Sequence, residues 1–274
     1  GSTAMVTGLS DEHLVRDVPG WGRLADALRR VGGDPAAVKT PLRRAGDIKA
    51  YVEIHIEQGP RLERAGHALG AVTGIVGIRR ADITCIGQPD HAGTASMDVR
   101  RDALAAVAQV ISTAEQAALR RTGTVATVGA LDVSPNQSNV IPGQVRFTVE
   151  MRSLDMNEVE AIWQEIYHAF DAACTQRQLT YTIQALHDSQ PVVFAESMVA
   201  TIDAACVAAS GSSMRLPSGA GHDGSMIGLI APAGMIFVRT LNGRSHCPEE
   251  FSAPADNLAS VHALFETVRA LDND

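Results

Sequence analysis

Hydrophobic positions change their period several times along the chain, and each change marks an element. In residues 21–31, Leu24, Leu28 and Val31 recur at helical spacing and Gly32 and Gly33 follow, which predicts a first helix. Residues 50–56 read AYVEIHI, and a period of two puts Val52, Ile54 and Ile56 on one strand face and Tyr51, Glu53 and His55 on the other, with Glu57 continuing the polar row. Gly59 and Pro60 close that strand with a turn, and a short helical stretch runs to Gly66. From 77 to 189 the alternation is cleaner. Residues 81–88 predict a strand, 101–121 a helix with a stripe at Leu104, Val107, Val110 and Ile111, and 124–133 a β-branched strand. Residues 144–153 set Val145, Phe147, Val149 and Met151 against Arg146, Thr148, Glu150 and Arg152, the pattern of an antiparallel sheet with one wet face. Asp155 then reads as a helix cap with Glu158 three residues on, and Val159, Ile162, Trp163, Ile166 and Phe170 form the next stripe. A strand over 179–186 completes the order βαββαβ, that of a ferredoxin-like unit. Beyond Pro191 come a helix over 196–209 stopped by Gly211, a glycine-rich loop, a buried strand over 235–240 and a last helix over 254–271. The expected architecture is an α/β domain made of residues 1–77 and 190–274, with an α+β unit inserted over 78–189; no internal repeat occurs.

Composition narrows the function classes. A chain of 274 residues with 45% apolar content buries a large core or divides into two domains. The net charge of −8, with no basic run interleaved with aromatics, argues against a nucleic-acid partner. The longest apolar stretch, 226–238, is broken by Gly228, Pro232 and Gly234 and falls short of the about 20 residues a bilayer requires, so no membrane partner is expected. The four cysteines are scattered without a CxxC spacing, which fits a reducing compartment and a cytoplasmic location. The opening GSTAM has neither an initiator Met nor a signal pattern and reads as a start inside a longer protein or a leftover of engineering.

Two histidines stand out chemically, His55 in HIEQGP and His246 in GRSHCPEE. Neutral imidazole is a strong ligand for zinc and similar ions, and such sites draw ligands from distant strands and loops. On spacing alone a strand histidine is as readily structural, and His246 as readily a solvated loop residue. A hydrolytic centre also needs three or more protein ligands, and a dinuclear one a bridging carboxylate; the additional ligands are not evident here. The loop SGAGHDGS lacks the Lys and Ser/Thr of a phosphate-binding loop. Gly219 or Gly221 suits close approach of backbone to a substrate, while His222 and Asp223 either orient the site or cap the helix that follows.

Five segments, YVEIHIEQGPRLE, GQPDHAGTASMDVRRDAL, QSNVIPGQVRFTVEMRSLD, SGAGHDGSMIG and GRSHCPEEF, resemble in order the metal-dependent amidohydrolases of the M20 superfamily, in its N-carbamoyl-L-amino acid hydrolase and allantoate amidohydrolase branch. His55 favours that branch, because the M20 peptidases and aminoacylases usually carry an acidic ligand there. The resemblance implies a zinc-peptidase-like catalytic domain and an inserted ferredoxin-like domain that forms a homodimer. It also implies two divalent ions (zinc, or manganese, nickel or cobalt), His55 serving one and His246 the other. The remaining ligands and the catalytic glutamate belong upstream of HIEQGP in the family, yet residues 1–50 hold only His13 and none of those motifs. The chain is therefore expected to be the carboxy-terminal portion of a longer enzyme, with an incomplete metal site and no turnover by itself.

The same resemblance gives His91 the oxyanion of a tetrahedral intermediate in the partner subunit's site. It gives Asn139 and Arg152 the clamping of substrate, since a guanidinium matches a carboxylate bidentately. Gln58 is a further amide candidate, and Glu57, which shares the strand face of His55, is either a ligand or, in preference, a group that orients the site or balances its charge. The expected reaction is hydrolysis of a linear ureido or amide C–N bond in a small carboxylate-bearing substrate such as an N-carbamoyl-L-amino acid or allantoate. The alternatives are a non-catalytic dimerisation or binding module, and an aminoacylase or peptidase of the same superfamily.

Overall fold

The computed structural model describes residues 1–273, and the chain divides into two compact units, one made of Gly1–Ile75 and the chain from Val192 onward, the other of Val76–Pro191.

The first unit is built on a mixed sheet in the order Ser213–Ser218, Leu69–Ile75, Ala233–Val238, Tyr51–Ile56, with the short strand Val192–Val193 also pairing with Leu69–Ile75. Ala233–Val238 runs parallel to Tyr51–Ile56 and antiparallel to Leu69–Ile75, whose other neighbour Ser213–Ser218 is parallel to it. All of Ala233–Val238 is buried, as a continuous apolar run between two neighbours predicts. The helix Glu196–Ser210 lays Met198, Val199, Ile202 and Cys206 in the same core, and Pro254–Asn273 adds Ala263. A Cβ on Gly234 would lie 2.4 Å from the Ile202 side chain, so glycine lets that helix approach the sheet. Among the described residues Tyr51–Ile56 has a strand neighbour on one side only, and every residue in it is half-buried.

Several expectations change here. Leu69–Ile75 and Ser213–Ser218 were not anticipated as strands; the first is buried almost throughout, so it has no alternation to read. The first helix spans only Leu24–Arg30 and buries none of its residues, because Gly22–Arg23 is drawn into a small ladder with Asp17–Val18 and Val31 is 70% exposed. The buried strand is displaced from 235–240 to Ala233–Val238.

The second unit follows the order strand, helix, strand, strand, helix, strand: Gly77–Ile86, Ala103–Leu119, Val125–Ser134, Gln144–Ser153, Met156–Gln176 and Thr180–Ser189. Its sheet runs Val125–Ser134, Gln144–Ser153, Gly77–Ile86, Thr180–Ser189 with every neighbour antiparallel, a ferredoxin-like arrangement. Val145, Phe147, Val149 and Met151 are buried as the alternation predicts, against Ile162, Ile166 and Phe170; the rings of Phe147 and Phe170 meet edge to face with centroids 5.7 Å apart. The first helix buries Ala103, Ala106, Val107, Val110, Ala114 and Ala117, while Ile111 is 41% exposed, so its inner face is richer in alanine than the stripe suggested. Asp155 caps the second helix by accepting the Asn157 N–H, but Glu158 does not complete a capping box and instead meets Arg121 at 2.7 Å. Among the described residues no helix is long and apolar enough to cross a membrane.

Candidate functional site

The polar face of Tyr51–Ile56 organises the candidate centre in the first unit. His55 Nδ1 lies 2.8 Å from the Ile56 carbonyl oxygen. A carbonyl only accepts, so Nδ1 carries a proton, and in the neutral ring that leaves the lone pair on Nε2, the tautomer a ligating imidazole needs. The His222 ring meets His55 edge-on with centroids 4.4 Å apart, and its side chain is only 2% exposed. His222 Nε2 is 2.7 Å from Ser218 Oγ, while Nδ1 stands 3.7 Å from Glu53 Oε1, too far for a hydrogen bond. Burial, reinforced by His55, pushes the His222 imidazole down to about 4, so it is neutral at pH 7. Glu53 Oε2 accepts from the Tyr51 hydroxyl at 3.1 Å and from the Gly224 N–H at 3.1 Å. Burial and then the Glu53 carboxylate push the Tyr51 phenol up to about 12.

Past the strand end the two histidine motifs touch. Gln58 Nε2 donates to Ser245 Oγ at 2.8 Å and to His246 Nε2 at 3.2 Å. Both Gln58 and His246 hold positive φ, 57° and 56°, a conformation uncommon outside glycine and frequent where function imposes strain. Glu250 folds the loop back: its Oε2 accepts the Ser245 hydroxyl at 2.9 Å and the His246 N–H at 3.0 Å, and those bonds, the backbone one first, hold its carboxyl below the usual range. A Cβ on Gly243, whose φ is +63°, would fall 2.6 Å from both the Gly59 carbonyl carbon and the Pro60 nitrogen, so the motif loops are in direct backbone contact there. Glu57 accepts the N–H groups of Arg61 at 2.8 Å and Leu62 at 2.9 Å, an engagement with the Arg61–Ala65 helix rather than an orienting role. Burial pushes its carboxyl up against the pull of those two bonds.

Asp223 makes no side-chain cap on Gly224–Ile227 and instead accepts from Ser2 Oγ at 2.6 Å, which removes the capping alternative for the HD pair. Gly219 and Gly221 have ordinary φ, and a Cβ at either meets nothing within 4 Å, so neither backbone conformation nor packing in this chain demands glycine there. The sequence leaves His222 open between orienting the site and capping a helix, and it does not single out its neighbours Glu53 and Ser218 as site residues. The signal was present for Glu53, which shares the period-two face of His55, but Ser218 and His222 depend on the glycine-rich loop folding back onto that face.

In the second unit the sheet and its loops gather the other candidates. His91 pairs with Val140 in an isolated bridge, and the Ala92 N–H donates to the Asn139 carbonyl at 2.9 Å, so His91 and Asn139 are brought side by side. His91 Nδ1 accepts the Gly93 N–H at 3.0 Å, which leaves the proton on Nε2 of a neutral ring. Arg152, near the end of Gln144–Ser153, donates from Nε to Glu150 Oε1 at 2.7 Å, and Glu150 also pairs with Arg80. A substrate carboxylate at Arg152 must therefore share the guanidinium with Glu150.

Among the described residues no group of three or more His, Cys, Asp or Glu side chains is placed to hold a metal ion. His55 offers one lone pair, and the Nε2 lone pair of His246 is taken by the Gln58 amide. These donors fall short of the three or more protein ligands of a hydrolytic centre, so the side chains described here do not by themselves fit a dinuclear metal site.

The model of peptidase family M20/M25/M40 matches residues 1–270. The chain is 40% identical over 269 residues to an N-carbamoyl-L-amino acid amidohydrolase of Geobacillus stearothermophilus, covering 98% of this chain and 66% of that protein. It is 34% identical over 263 residues to an allantoate amidohydrolase of Escherichia coli, covering 94% and 63%. An amidase of the hydantoinase/carbamoylase family from Burkholderia multivorans superposes with a TM-score of 0.88 at 31% identity, over 98% of this chain and 65% of that one. The chain thus spans about two thirds of the length of the relatives it matches.

Proposed function

The chain belongs to peptidase family M20/M25/M40, and from that membership we propose that the intact protein hydrolyses a linear ureido or amide C–N bond in a small carboxylate-bearing substrate of the N-carbamoyl-L-amino acid or allantoate kind. The observation that carries the reading is the meeting of HIEQGP and GRSHCPEE through the Gln58 side chain, which brings a proton-poised imidazole, an amide and a second imidazole to one strand end in a chain similar to named amidohydrolases. In this reading His55 and His246 are metal donors for the divalent ions, zinc or manganese, nickel or cobalt, whose other ligands lie outside the described residues. Gln58 has to release His246 Nε2 for that ring to ligate through it, and its amide then turns to the substrate. Asn139 and Arg152 hold the carboxylate end, Gly219 and Gly221 leave room for substrate against backbone, and His91 donates from Nε2 to the developing oxyanion in the site of a second copy. We place the protein in the cytoplasm as a homodimer joined through its ferredoxin-like unit.

A panel of N-carbamoyl-L-amino acids, allantoate, N-acyl amino acids and dipeptides, assayed with the intact enzyme and added divalent metal, tests the proposal. Release of ammonia or the free amino acid from ureido substrates supports it; turnover confined to acyl or peptide substrates moves the protein to the aminoacylase or peptidase reading. A second reading for residues 1–274 alone is a dimerisation or binding module without turnover. Activity of that chain by itself on any member of the panel removes the second reading.

A further inference from the structure

The positive charge of the second unit comes entirely from arginine, and its arginines fall into two groups. Arg79, Arg80, Arg120, Arg121, Arg146 and Arg152 each meet a carboxylate of the same unit. Arg100, Arg101 and Arg177 meet none among the described residues, and all three line one cavity of about 340 Å³ together with Gln88, Gln178 and the carboxylate of Asp98. Arg100 and Arg101 precede Asp102, the cap of Ala103–Leu119, and Arg177 ends Met156–Gln176, so the cavity lies where one helix starts and the other stops.

The three guanidinium groups do different work. Arg100 donates to the Ala95 carbonyl at 3.1 Å and the Ala92 carbonyl at 2.6 Å, which frames the loop. Arg101 gives one N–H to Gln178 Oε1 at 2.6 Å, and Arg177 gives Nη1 to the Ala173 carbonyl at 3.1 Å and to its neighbour Gln176. A guanidinium has five N–H donors, so Arg101 and Arg177 keep most of theirs. Three like charges around one space repel unless a counter-charge joins them, and Asp98 offsets one. A cavity with two positive charges left over is unusual in a chain of net charge −8.

We propose that this cavity binds a small molecule bearing a divalent oxyanion, a phosphate or a pair of carboxylates, with Arg101 and Arg177 as its direct ligands and Gln88 and Gln178 supplying neutral hydrogen bonds. The planar fork of arginine matches both head groups. None of the residues lining the cavity is among those assigned to hydrolysis, and the proposal stands whether or not that assignment holds.

Isothermal titration of residues 1–274 with inorganic phosphate and with succinate tests it. Saturable binding of either probe that weakens as sodium chloride rises, and that Arg101→Gln with Arg177→Gln reduces by at least about tenfold, is the expected result, since one hydrogen bond to a charged group accounts for roughly that factor. Arg120→Gln, which removes an exposed and already paired arginine, keeps the affinity. Thermal melting of the double variant within a few degrees of the parent shows the fold intact; if it does not melt so, Arg101→Gln alone, whose side chain donates to Gln178, gives the same reading. Absence of saturable binding by both probes, or binding that the arginine variants leave unchanged, overturns the proposal.

Discussion

At the scale of single residues, the loop carrying His246 is held by one carboxylate. Glu250 accepts the Ser245 hydroxyl and the His246 N–H, and its carboxyl is held below the usual range by those bonds. A carboxylate with a depressed folded-state pKa contributes its stabilisation fully above its unfolded value and loses it as pH falls through the folded one. Exchange protection of the His246 amide is therefore expected at neutral pH and to fade in the acid range below ordinary glutamate titration; Glu250→Gln, which keeps an acceptor but not the charge, should make the protection lower and independent of pH there. Arg152 makes a different demand. If it clamps a substrate carboxylate while sharing Glu150, Arg152→Ala in the intact enzyme should cost about 10- to 100-fold in kcat/KM, the range of a hydrogen bond to a charged group. Unchanged kinetics would take Arg152 out of the mechanism.

At the scale of elements, the close contact between the Gly243 turn and Gly59–Pro60 locks two motif loops that are remote along the chain. Gly243→Ala adds a Cβ where backbone already stands and imposes it on a positive φ, so a loss of more than about 1 kcal/mol in denaturant unfolding is expected. Loss of the Gln58–His246 link should accompany it, read as a shift of the His246 ring resonances. The legibility of the elements follows from the same physics. Gln144–Ser153 was plain because one face is buried and the other wet, so period two survives in the letters. Leu69–Ile75 and Ser213–Ser218 were not: burial or short length erases alternation. His55 and His246 were marked by their motifs, but the packing of His222 on His55 follows from a loop closing over a strand, a long-range event with no local pattern.

At the scale of the whole molecule, the second unit has its own core, its own closed set of strand pairings and its own ion pairs. Residues 76–191 expressed alone should fold cooperatively, with a single thermal transition by circular dichroism and dispersed amide resonances; a molten, non-cooperative product would show that its core depends on the rest of the chain.

The points where the chain leaves and re-enters the first unit are direct neighbours: Ile75 faces Val192 and Gly74 faces Val193 in an antiparallel pair. Without everything between them, those two strands are the arms of a hairpin, for which a two-residue Asn-Gly loop is a sufficient tip. The ferredoxin-like unit is thus a cassette clipped into the end of a β-hairpin, and its excision or exchange for another small domain asks the surrounding sheet to change no register at all.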